Sequence, residues 1–376
     1  MTRETEKITL PVFSAGTTRH LLIHRWGKGL NGKAYIQASL HADEIPGLLV
    51  AHHLIRLLEE ADIQGQITGE IVVVPFANPI GLNQHVFDMH MGRHFLETGE
   101  NFNRAWPDLA AGVSGRVASS LTDNAQTNVA LIRDAIRAEI AALTPLREDE
   151  ALKKSLLAEA ADSDIVLDLH CDSDSVMHLY LGSPLWPDAR DIAAELGSHV
   201  QLLAEVSGGN PFDEACGGIW WALANRYPDH PIPPACLSAT VELRGESDVA
   251  DEYAAKDASA LFRILQRRGF ISGDPGPLPQ LLQDATPLDG VDTIEAEAPG
   301  VFACRVKAGD VVEKGALLGE IVPLDDPTAE RIPVITRTAG VVYGMRRHRF
   351  VRPGQVIIKI AGPEPLAWRK GDLLNV

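Results

Sequence analysis

The first two thirds of the chain alternates short apolar runs with longer amphipathic stretches. Residues 33–40 (KAYIQASL), 69–76 (GEIVVVPF), 164–169 (DIVLDL), 176–181 (VMHLYL) and 236–243 (CLSATVEL) are largely apolar on both faces, which predicts buried strands. Residues 47–61, 124–143, 148–161, 187–196 and 250–268 carry apolar positions at helical spacing, as Leu48, Leu49, Leu54, Ile55 and Leu58 do. Strands alternating with helices predict an α/β architecture, a mostly parallel or mixed sheet covered on both faces. Ligands of such sheets sit at the carboxyl ends of the strands.

The pattern changes after Gly273-Asp274-Pro275-Gly276-Pro277-Leu278-Pro279, a stretch that cannot be helix or central strand. Residues 1–280 are expected to form one domain and residues 286–376 a second. The second contains a repeat: Ala298 to Phe302, Val311 to Gly315 and Leu317 to Val322 are echoed by Thr338 to Val342, Val351 to Gly354 and Val356 to Ile360. Two similar units of short strands, each unable to bury its face alone, predict a small all-β sandwich with quasi-twofold symmetry. It resembles the biotinyl/lipoyl carrier domains. Those present a modifiable lysine at the hairpin between the halves, where this chain has Asp325 to Glu330 and no lysine.

Composition narrows the partners. The chain has 51 Asp+Glu against 34 Lys+Arg, a net charge of −17. Residues 286–376 hold 12 basic and 12 acidic side chains, so the whole excess lies in the first 285 residues. Such a field repels phosphate backbones and anionic lipid, arguing against nucleic acid and membrane surfaces as partners. The first residues lack the apolar core of a secretory signal, and no apolar stretch nears the roughly 18 residues that span a bilayer, which predicts a cytoplasmic protein. Cys171, Cys216, Cys236 and Cys304 form no CxxC pair and read as reduced thiols.

The chemistry concentrates at three strand ends. Ser39-Leu40-His41-Ala42-Asp43-Glu44 leaves a strand, and an HxxE pair in such a turn converges an imidazole and a carboxylate on one cation. Val166 to His170 ends a buried strand at the same edge, with Asp168 placed to orient the imidazole from behind. Thr240 to Arg244 ends another, and a buried Glu242 must be paired, metal-bound or functional. The bland alternative for Glu242 is an ion pair with Arg244. Two histidines and a glutamate, with an open fourth position and a second glutamate nearby, suit a catalytic zinc site that lowers the pKa of a bound water to about 7.

These motifs, with Asn101-Phe102-Asn103-Arg104 and the appended β domain, resemble the zinc carboxypeptidase superfamily and, within it, the succinylglutamate desuccinylase/aspartoacylase family. The resemblance implies a three-layer α/β/α hydrolase domain plus a C-terminal barrel-sandwich. It implies one zinc per chain held by His41, Glu44 and His170, with Glu242 as general base and later acid. Asn103 and Arg104 would hold the substrate carboxylate, and Arg93 would polarise the scissile carbonyl. His85, His90 and His94, with helical spacing between the last two, are a weaker metal candidate. The segment from Glu214 to Arg226, with Trp220 and Trp221, is a candidate pocket wall.

The expected activity is a zinc-dependent amidohydrolase that deacylates a small N-acyl amino acid or related carboxylate, with ester cleavage open to the same machinery. One alternative is a metallocarboxypeptidase acting on short peptides. Another, from a different class, is a carrier or binding protein with a vestigial zinc site. Assembly into a homo-oligomer is compatible with each.

Overall fold

The computed structural model describes residues 3–374. In chain order these form β1 (Glu4–Thr9), β2 (His20–Trp26), β3 (Lys33–Ala38), α1 (Pro46–Ile63) and β4 (Glu70–Val74). A hairpin of β5 (His85–Val86) and β6 (Met89–His90) precedes α2 (Ala110–Val117), α3 (Ala125–Ala142) and α4 (Glu148–Ala160). Then come β7 (Ile165–Asp172), β8 (Asp174–Ser175), β9 (His178–Leu181), α5 (Arg190–Leu196), β10 (Val200–Leu203) and α6 (Phe212–Arg226). They are followed by β11 (Leu237–Gly245), α7 (Asp251–Arg267) and β12 (Thr286–Pro287).

Among the described residues the main sheet has nine strands, in the order β1-β2-β4-β3-β7-β11-β9-β10-β12. Its centre is parallel: β4, β3, β7 and β11 run the same way, while β9 lies antiparallel to β11 and β1 and β2 close the other edge. This is the mixed sheet the apolar runs predict, and those runs occupy its middle because both faces there are covered. Val50, Leu54 and Leu58 of α1 pack on one face together with Ile192 of α5 and Leu261 of α7. Val113 of α2, Ile136 of α3, Leu156 of α4 and Trp220 of α6 pack on the other. The result is a three-layer α/β/α arrangement, and the carboxyl ends of β3, β7 and β11 open on one edge.

The remainder is all β: β13 (Val291–Glu295), β14 (Gly300–Cys304), β15 (Val311–Val312), β16 (Leu317–Val322), β17 (Ile332–Ile335), β18 (Gly340–Met345), β19 (Phe350–Val351) and β20 (Val356–Ala361). Two antiparallel sheets, β13-β20-β18-β15 and β17-β16-β14-β19, enclose Phe302, Leu318, Ile321, Val342, Ile357 and Ile358. The units from β14 to β16 and from β18 to β20 carry the sequence repeat.

The two parts are joined through the sheets. β8, just beyond β7, pairs with β18 (Ser175 opposite Gly344), and β12, beyond the Pro/Gly-rich stretch, adds to the main sheet beside β10. Val200 and Leu202 share a buried cluster with Leu288, Val291, Val341 and Tyr343. No helix among the described residues is long and apolar enough to cross a membrane.

Candidate active site

β3 leaves the centre of the sheet through Ser39, a non-glycine residue at φ 63°, a backbone strain that recurs at functional sites. The turn closes when the Glu44 N–H donates to the His41 carbonyl at 3.1 Å. That sets the two side chains side by side, with His41 Nδ1 2.8 Å from Glu44 Oε1. β7 lies parallel to β3, Ala38 opposite Leu169, so His170 emerges at the same edge, its Nδ1 2.8 Å from Glu44 Oε2. The ligand-capable atoms of His41, Glu44 and His170 all lie within 4.8 Å of one another, and all three residues are buried. Among the described residues no other group of histidines, cysteines and acids is gathered in this way.

The far nitrogens of both rings are engaged. His41 Nε2 lies 2.7 Å from Asn101 Oδ1, and His170 Nε2 lies 2.9 Å from Asp168 Oδ2. Behind Asp168 the Gln37 amide donates to Oδ1 at 3.0 Å, and the Tyr35 hydroxyl donates to Gln37 at 2.8 Å, all in the buried sheet. Such outer partners fix ring orientation and leave each Nδ1 facing Glu44, the arrangement of a metal-ligating histidine. Burial, followed by the Arg93 charge, pushes the His41 imidazole down to about 4, so it is neutral at ordinary pH, the form that ligates a metal. Burial favours a neutral Glu44, but the flanking imidazoles outweigh it and hold this carboxyl well below the usual carboxylate range. Two imidazoles and one carboxylate converging this closely fit a zinc ion in chemistry and number.

Arg93 reaches the cluster because its loop is pressed against the ligand turn. The Ala42 N–H donates to the Gly92 carbonyl at 3.0 Å, and a Cβ on Gly92 would fall 2.2 Å from the Asp43 nitrogen. The Arg93 guanidinium then donates to Glu44 Oε1 at 2.9 Å, and its Nη1 lies 3.1 Å from His41 Nδ1.

Glu242 is delivered by register: on β11 it stands opposite His170 of β7 and His178 of β9. The residue is half-buried, but its Oε2 is buried with no hydrogen-bond partner. Burial, then the charge of Glu44, pushes its carboxyl up to about 8.

Asn103 and Arg104 sit on a loop strapped to the segment preceding α6. Asn103 Oδ1 accepts from the Phe212 N–H at 2.8 Å, and Ala105 N–H donates to the Gly209 carbonyl at 2.7 Å. Arg104 donates to the Asn103 carbonyl at 2.7 Å and has no carboxylate partner among the described residues. A single cavity is lined by His41, Glu44, Arg93, Asn103, Arg104, His170 and Glu242. The structure thus brings together all seven residues singled out in the sequence.

Other expectations need correction. His90 and His94 are not on a helix: His90 closes the β5–β6 hairpin, its ring stacked on His85 at 4.6 Å. Trp220 and Trp221 do not wall the site; on α6 they diverge into the two opposite cores, and Arg226 is exposed at the helix's far end. Of that segment Glu214, at the N-terminal end of α6, lines the cavity, together with Asp213 and with Pro211 just before the helix.

Three features of the site are not read from the sequence. Asn101, within the quoted motif, meets His41 Nε2, and its adjacency to Asn103 and Arg104 in that motif is the available signal. Asp172, two residues past His170, carries Lys359 Nζ at 2.5 Å, a lysine from β20 of the C-terminal part. Tyr180 of β9 also lines the cavity. No local signal marks Lys359, because its neighbours are distant in sequence.

Residues 31–142 match the family model described as the succinylglutamate desuccinylase/aspartoacylase catalytic domain. No curated protein matches the chain. Among solved structures, a succinylglutamate desuccinylase/aspartoacylase family protein from Shewanella amazonensis SB2B is 26% identical, covers 95% of this chain and 98% of its own, and superposes with a TM-score of 0.83. A second, from Shewanella frigidimarina NCIMB 400, is 24% identical over 96% and 97% of the two chains, with a TM-score of 0.83. The product-bound ectoine utilization protein EutE (DoeB) from Ruegeria pomeroyi shares the fold at 18% identity, 96% and 95% coverage and a TM-score of 0.64. Residues 31–142 thus match the succinylglutamate desuccinylase/aspartoacylase catalytic-domain model, and the chain shares, over both of its parts, the fold of a Shewanella protein described as belonging to that family.

Proposed function

We propose that the protein is a zinc-dependent amidohydrolase that removes the acyl group from a small N-acylated amino acid or related carboxylate. The observation that carries this reading is the convergence of His41, Glu44 and His170 in one cavity with an unpartnered Glu242 oxygen and an Arg104 guanidinium that lacks an acid. A zinc ion held by the three ligands would act as a Lewis acid on the amide carbonyl and lower the pKa of water to about 7. Glu242, which lines the cavity with one oxygen unpartnered, takes the proton from the attacking water and returns it to the leaving nitrogen. Arg104 holds the substrate carboxylate through its planar fork, and Asn103 holds the edge of the same site. Arg93, already beside Glu44, supplies positive charge where the carbonyl oxygen becomes an oxyanion.

The cavity favours this over peptide cleavage, because Leu288, Lys359 and Leu374 from the C-terminal part help close it and limit the length of what enters. The carrier alternative lacks a lysine in the loop between β16 and β17. The test is a hydrolysis screen of the zinc-loaded chain against N-acetyl, N-succinyl and other N-acyl amino acids, with short peptides alongside. Release of amine from N-acyl amino acids and not from peptides is expected; the reverse pattern would establish a carboxypeptidase.

A further inference from the structure

The lining of the site cavity is not polar throughout. Beyond the His41, Glu44 and His170 cluster it gains an apolar wall, and strand register builds it. On β11 Thr240 shares a strand face with Glu242, two residues on. Thr240 stands opposite Tyr180 of β9, and Tyr180 opposite Leu202 of β10, so one cross-strand row leads away from the Glu242 strand. Ala204 follows β10, and Leu288 follows β12, the strand that pairs with β10 on its far side. Tyr180, Leu202, Ala204, Leu288 and Leu374 all belong to one hydrophobic cluster, and all five line the cavity.

Leu374 is fixed in this wall by its backbone. The N–H groups of Leu373 and Leu374 donate to the Ser207 carbonyl at 2.8 and 3.0 Å, and the Arg369 guanidinium donates to the Leu373 carbonyl at 2.6 Å. Asp372 lies against Gly208, where an added Cβ would fall 2.8 Å from the Asp372 Cβ. Leu374 and Ala204 are only half-buried, so part of their apolar surface is left uncovered. A ligand that covers such surface gains affinity with each methylene it buries.

We propose that this wall is a subsite for a short aliphatic group of the substrate, lying to one side of the scissile amide, with Leu374 as a specificity-determining residue. This rests on the deacylase reading above and narrows it: the N-acylated carboxylate carries an uncharged aliphatic portion, in its acyl chain or in its amino-acid side chain. The test uses the zinc-loaded full chain and needs no turnover. Levulinate has a methylene in place of the amide nitrogen of N-acetylglycine and cannot be hydrolysed. It is titrated calorimetrically beside two extended forms, one with its acetyl end lengthened to butyryl, the other with an ethyl group on the carbon next to the carboxylate. One of the two should bind about tenfold tighter than levulinate, the gain from two buried methylenes, and which one it is names the part of the substrate that the wall covers. The gain should be largely lost in Leu374→Asn, return in Leu374→Met, and remain in Leu324→Asn, a change at an exposed leucine of the loop between β16 and β17. No gain with either form, equal gains with both, or an undiminished gain in Leu374→Asn would overturn the proposal. A gain in a chain that hydrolyses no N-acyl amino acid would keep the subsite and overturn the deacylase reading. Hydrolysis without the gain would overturn the subsite alone.

Discussion

Arg244 turns away from Glu242 and forms a paired contact with Asp257 of α7, Nη1 3.2 Å from Oδ1 and Nη2 on Oδ2. On a regular strand residues 242 and 244 would share a face. The ladder shifts register between Glu242 and Gly245, however, and Arg244 adopts φ 67°. The guanidinium therefore swings over the Tyr253 ring toward α7, and Glu242 is left facing the cavity without a cation. The ion pair between these two neighbours, the bland alternative in the sequence, does not form.

Glu242→Gln should lower kcat by about 10² to 10⁴ fold, the usual contribution of a general base, while zinc content and KM stay near those of the unaltered enzyme. Measuring all three on one preparation decides the matter. Near-normal kcat would remove Glu242 from the chemistry.

Asp257→Ala strands Arg244 without its acid. Because Asp257 is almost fully buried, the loss should cost about 3 kcal/mol, within the range for breaking one side of a buried pair. Urea unfolding measures it, and an unchanged midpoint would show the pair to be incidental.

Stability should fall on acidification through His178. Its Nδ1–H donates to the Val176 carbonyl at 2.8 Å, while Nε2 is buried with no partner. Burial pushes the imidazole down to about 4; nearby Asp172 opposes this and Lys359 adds to it. The unfolded chain gains a proton near pH 6.5 that the folded chain refuses until about pH 4, so stability is lost as pH falls through that window, by at most about 3 kcal/mol. His178→Phe should flatten the slope there. An equal slope in both proteins would assign the acid sensitivity elsewhere.

A chain cut after residue 280 should still fold and bind zinc, because His41, Glu44 and His170 come from β3, its following turn and β7. It loses Lys359 from Asp172 and uncovers Val200 and Leu202, so its solubility should drop. Failure to bind zinc under any refolding condition would make the two parts one folding unit.

What the sequence made legible is what is local. Strands buried on both faces announce themselves as apolar runs, so β3, β4, β7, β9 and β11 were readable. The edge strand β1 is mostly exposed, and α2 is short and holds Gly112 and Gly115, so neither leaves a strong pattern. His41 and Glu44 share one turn and His170 ends one strand, which is why the three members of the cluster are legible without coordinates. Lys359 reaches the site only from the C-terminal part, and the partner of Arg244 depends on one left-handed residue. Trp220 and Trp221 misled because α6 is covered on two sides, so adjacent aromatics entered different cores instead of the cavity.

The most direct measurement is a titration of the metal-free full chain with zinc while following amine release from an N-acyl amino acid that the screen identifies. Activity should rise in proportion to added zinc, saturate at one ion per chain, and be absent in His41→Ala/Glu44→Ala, which should also retain no zinc. Full activity in the metal-free chain, or in that double variant, would contradict the account.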